Sequence, residues 1–195
     1  TADIEQNVQA INVNNQQFGV TLDAAYKAAG ALNSQLGSSR LISKELIEGT
    51  SLMAANLGVA EADSTKVMSN FMGISGMSSE TATYTAGAAA SLSKAAGVPF
   101  AKVMQDVAKA SGETLILVRG SVKELIKGAI EARRLGVELT EIGNSASKLL
   151  DFNSSITSEM EASVLFGKNI NLQKARELAY AGNLAGLAKE QSRIL

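Results

Sequence analysis

Cysteine, histidine and tryptophan are absent from this 195-residue chain, proline occurs once, and the rings amount to five Phe and three Tyr. Without thiolate or imidazole there is no ordinary zinc site, iron–sulfur cluster, Ser-His-Asp or Cys-His catalytic unit, and no disulfide framework. A surplus of one charge is missing too. With 18 Lys+Arg against 19 Asp+Glu the formal net charge is −1, which argues against nucleic-acid binding driven by phosphate neutralisation. Carboxylate, lysine or hydroxyl chemistry remains, or no chemistry. The lack of Cys fits a reducing compartment.

What is present is small and helix-forming. Ala occurs 30 times, Leu 21 and Ser 21, so much of the apolar content is single methyl groups that bury little area each and favour close helix approach or oligomeric packing. Proline is nearly missing and no long alternating strand occurs, so the expected class is all-α with no sheet. Three apolar stripes recur at helical spacing: Ile42, Leu46, Met53 and Leu57; Val122, Leu125, Ile126, Ala129 and Ile130; and Ile142, Ala146, Leu149, Ile156 and Met160. Ser121-Val-Lys-Glu124 reads as a capping box, and Thr114 to Val118, the one β-like run, is taken as helix. At Gly58, Gly73, Gly97 and Gly136 the glycine stands between two apolar residues near the end of a helical stretch, which is read as a helix stop of the Schellman kind. The expected architecture is therefore short amphipathic helices and helical hairpins joined by Gly-stopped corners.

Three segments are expected: acidic N-terminal helices at 1–60, basic small-residue hairpins at 61–137, and C-terminal helices at 138–195. Charge supports this order. Residues 1–65 carry three cations against seven anions, residues 66–135 nine against five, and residues 136–195 six against seven.

Among candidate sites, residues 67–93 hold a single charge, Glu80, and include Phe71, Met72, Ile74, Met77, Ala88, Ala89 and Ala90. Membrane insertion and small-residue packing both explain such a stretch. A break near its centre leaves two pieces of about a dozen residues, too short for about 30 Å of hydrocarbon, so packing is the favoured reading. Glu138, Glu141, Asp151, Glu159 and Glu161 are acid/base or metal candidates, but Glu138 and Glu141, which share a helix face, are joined by no His or Asp at ligand spacing, and acids at helix starts follow from the helix dipole. Gly73-Ile-Ser-Gly76 and Gly112 lack a phosphate-binding frame, and Arg133-Arg134 is read as a solvated helix end. The six Met residues are read as core filling, with no cofactor, metal or catalytic residue expected.

The C-terminal third carries a resemblance. Asp151-Phe-Asn-Ser-Ser-Ile-Thr-Ser-Glu-Met-Glu-Ala-Ser-Val-Leu-Phe-Gly167, then Lys168-Asn-Ile-Asn-Leu-Gln-Lys-Ala-Arg-Glu-Leu-Ala-Tyr180, then Ala181 to Glu190 resembles the tail tape measure proteins of bacteriophages. The corners Ala96-Gly-Val-Pro-Phe100 and Leu135-Gly-Val-Glu138 are similar to that family's Gly-punctuated helices. The match covers residues 95–195, and the first half only in style. It implies a non-enzymatic virion component inside the tail, assembled in the bacterial cytoplasm, that sets tube length and leaves ahead of DNA. It further implies three or six copies, tail tube and tail tip or baseplate hub partners, and transient contact with the host membrane. A straight helix of 195 residues spans at most roughly 290 Å, too short for a ruler, so an ordered portion of a longer protein is expected. The initial Thr1 fits that expectation. Competing readings are a membrane-inserting or translocated helical effector and a cytoplasmic helical interaction module.

Overall fold

The computed structural model describes residues 4–8, 21–37 and 42–194, apart from the side chains of residues 36, 74 and 75. The described residues form helices and no strand. They divide into two compact units, Thr1–Ala108 and Lys109–Leu195, where charge and motif alone suggested three segments.

In the first unit a helical stretch at 4–8 (α1) precedes α2 (Leu22–Leu36), α3 (Lys44–Leu57), α4 (Glu61–Ser75), α5 (Ser79–Ala95) and α6 (Phe100–Lys109). Helices α2, α3 and α4 pack on one another, and α5 lies against α3 and α4. Starts are set by hydroxyl caps: Thr21, Ser43 and Ser78 accept from the backbone N–H of Ala24, Leu46 and Thr81. Close approach replaces ring burial. Phe71 is the one ring among the largest fully buried side chains, which are otherwise Leu, Ile, Met and Val. Between α3 and α5 a Cβ added at Gly49 would lie 2.3 Å from Thr83 Oγ1. The Thr83 hydroxyl donates to Ser79 O (2.9 Å) within α5 and reaches Glu45 O across the gap (3.3 Å).

The second unit runs α7 (Gly112–Leu117), α8 (Val122–Arg134), α9 (Leu139–Leu150), α10 (Phe152–Phe166), α11 (Gln173–Tyr180) and α12 (Leu184–Ile194). Residues 114–117 are thus helical. Helix α12 lies along α8, with Leu125, Leu139, Leu184 and Leu187 wholly buried. Glycine again sets spacing: a Cβ at Gly128 would sit 2.8 Å from Leu184 Cβ, and one at Gly143 would sit 2.4 Å from Thr114 Oγ1. Two buried acids edge this core. Glu131 holds Arg134 (3.1 Å) and Lys189 (3.6 Å), and Glu190 holds Lys174 (3.1 Å) and Arg193. Hydrogen bonds from Arg193 and then Lys174 pull the Glu190 carboxyl down to about 2.

Several expectations need revision. Gly58, Gly97 and Gly136 take left-handed φ of 66°, 70° and 78°, but Gly73 lies inside α4, and the stop falls at Gly76 with φ 62°. A helical glycine followed by an apolar residue has the same local sequence as a stop, and here α4 continues past it. Ser121 accepts from Glu124 N–H (3.3 Å), yet the Glu124 carboxylate pairs with Lys127 (3.0 Å) instead of returning to the cap. The stripe drawn from Ile142 to Met160 breaks at Asp151, which ends α9 and caps α10. Its first half is buried at Ile142, Ala146 and Leu149; its second half faces solvent.

Candidate interaction surface

Helix α10 is fastened to its unit by polar groups. The Asp151 carboxylate accepts from Ser154 N–H (3.5 Å) at the start, and Gly167 with φ 61° closes the end, where Lys168 N–H donates to Ser163 O (3.2 Å). On the inner side the Arg176 guanidinium of α11 donates to Ser155 Oγ (3.1 Å) and pairs with Glu159 (2.5 Å). That second contact is ionic, since no hydrogen bond is aligned at Glu159 Oε2. Ser163 Oγ accepts from Ile170 N–H (3.1 Å) and donates to Glu159 O (2.8 Å). Ser155 is the buried residue of this helix.

The exposed surface carries an apolar row beside Asn153, Thr157, Ser158 and Glu161. Phe152, Ile156, Met160 and Val164 follow one another at four-residue steps, with Leu165 and Phe166 at the C-terminal end, and their exposure runs from 46% at Ile156 to 85% at Val164. An ordinary surface helix turns such a row inward; α10 leaves it exposed and points Glu159 inward. Its row forms an i+4 ridge, and Met160, Glu161, Val164 and Leu165 lie together on open surface near its C-terminal end. Exposed apolar surface gathered in one row marks an interaction site more often than scattered side chains do.

In the 67–93 stretch Phe71 and Ala89 are buried, Met72, Met77 and Ala90 half-buried, and Ala88 exposed, while the Ile74 side chain lies outside the described residues. Tyr84, Ala88 and Leu92 form a shorter exposed row on α5. Among the described residues no helix is long and apolar enough to cross a membrane, and no group of three or more metal-ligating side chains assembles. Glu141 accepts from Glu138 N–H (3.3 Å), and Glu138 pairs with Arg133 (3.6 Å). Arg134 is held by Glu131, so the basic pair is occupied within its own unit. Of the five carboxylates, Glu159 and Glu161 lie on α10 and Asp151 caps it. Met160 is exposed on the ridge, whereas Met53, Met68 and Met104 fill the interior of the first unit.

The inversion of α10 escaped sequence reasoning because a helical stripe does not say which side docks. The available signal was Arg176, a cation 21 residues from Ser155 that supplies a polar dock. No family model, curated protein or solved structure matches the chain.

Proposed function

We propose that this chain is a structural assembly component, an ordered portion of a phage tail tape measure protein, which works by packing and not by turnover. The observation that carries the proposal is the outward apolar ridge of α10, which lies wholly within the segment, 151–190, whose sequence resembles that family. A side that apolar would be covered in an assembled particle. Small side chains and Gly-limited helix spacing suit a chain confined in a narrow lumen, in contact with tube and tail-tip proteins and with its own copies.

The ruler role is tested in the full gene. In-frame deletions on either side of these residues should shorten tails in proportion to the residues removed, as measured by electron microscopy of purified particles. Tails of unaltered length reject the ruler role.

A further inference from the structure

We infer that α10 is a releasable element: residues 152–166 leave their unit and lose helical structure in one step while α8, α9 and α12 stay packed, and Arg176 is the catch that holds them down. The release depends on how α10 is docked and is independent of the ruler role.

Burial separates α10 from its neighbours. Helix α8 buries Val122, Leu125, Ile126, Ala129 and Ile130, α9 buries Leu139, Ile142, Ala146 and Leu149, and α12 buries Leu184, Leu187 and Ala188. The one residue that α10 buries is Ser155, and its large apolar side chains keep from 46% to 85% of their surface in water. Burial of apolar surface is what makes parting a helix from a core costly. Lifting α10 therefore uncovers far less than parting α8 from α12 would.

What holds α10 is one cation. Ser155 and Glu159 stand one turn apart, and the Arg176 guanidinium donates to the first and pairs with the second. Arg176 belongs to α11, where Ala175 and Ala179 on either side of it are buried, so the catch stays with the core. The Ser163 hydroxyl bonds Glu159 O in its own helix and Ile170 N–H in the following loop, which ties α10 to its own flank.

The sequence gives α10 little helix of its own. Asn153, Ser154, Ser155, Thr157, Ser158 and Ser163 carry groups that compete for backbone hydrogen bonds, and Ile156, Thr157 and Val164 are β-branched. A helix of 15 residues is marginal in water even when rich in Ala. Undocking and unfolding are thus one event, bounded by the chain reversals at Asp151 (ψ 82°) and Gly167 (φ 61°).

Native-state hydrogen exchange of the 195-residue chain, read amide by amide by NMR, tests the release. After correction for intrinsic rates, the amides of residues 156–163 should exchange at least about tenfold faster than those of residues 125–129. Urea below the unfolding transition should speed the α8 amides and leave the α10 amides nearly unchanged, because the surface exposed on opening sets the urea dependence. Arg176→Gln, which removes a charged donor, should speed α10 exchange about tenfold, and Arg176→Lys, which keeps the charge, by less. Equal protection of α10 and α8, a urea dependence shared by both helices, or α10 exchange unmoved by Arg176→Gln would each overturn the inference.

Discussion

Replacing Gly182 by Ala tests how closely the chain is packed at the α11–α12 corner. Gly182 is buried with φ 69°, its N–H donates to Ala179 O (3.0 Å), and Asn183 N–H donates to Leu178 O (3.0 Å). Two penalties apply. A left-handed alanine costs about 1–2 kcal/mol, partly offset by about 0.4–1 kcal/mol because Ala is less free than Gly when unfolded. The new Cβ would also stand 2.3 Å from Leu117 O, a backbone atom that cannot swing away, and overpacking of this kind costs about 1–3 kcal/mol. Gly167 is the control: it lies in the same unit with φ 61° but has nothing within 4 Å of an added Cβ. Gly167→Ala should therefore lose about 1 kcal/mol and Gly182→Ala about 3 kcal/mol. With a urea dependence near 1–2 kcal/mol per molar, their midpoints by far-UV circular dichroism should differ by about 1–2 M. Equal losses would refute the close approach of the corner to Leu117.

Two further predictions follow from the second unit. Glu190 titrates at about 2 when folded against an ordinary 4.5, so its ion pairs stabilise fully above about 4.5 and their contribution is lost as pH falls through about 2; urea midpoints should decline across that window in wild type and decline less in Glu190→Gln. Gly143→Ala should cost about 1–3 kcal/mol because the new methyl meets Thr114 Oγ1, and adding Thr114→Ala should recover part of the loss, read as a non-additive double-mutant cycle.

Helix content and the corners at Gly58, Gly97 and Gly136 are legible in the sequence because they rest on local chemistry. The hydroxyl cap at Ser121 and the left-handed glycines at 58, 97 and 136 need only their neighbours; the caps at Thr21, Ser43 and Ser78 are equally local but were not singled out. Gly73 fails as a stop because α4 is held by its burial at Val67, Met68 and Phe71, which the dipeptide does not report. The boundary at 108/109 is equally invisible, since it depends on which helices pack together and not on a change of composition. The α10 row was half legible: the periodicity of Ile156 and Met160 was plain and the Asp151 cap that separates them from Leu149 is local, but the Arg176 contacts that fix which side docks are tertiary.

The polar fastening of α10 also has a mechanical meaning. Most elements are held by apolar area, so lifting one exposes hydrophobic surface to water and is opposed accordingly. Helix α10 already shows its apolar side, and its inner side is Ser155, Ser163 and the Glu159–Arg176 pair. Swinging it away would exchange those contacts for water while adding little apolar exposure, and salt would ease the exchange. The element that carries the exposed apolar row is thus held to its unit largely by contacts that water and salt can replace.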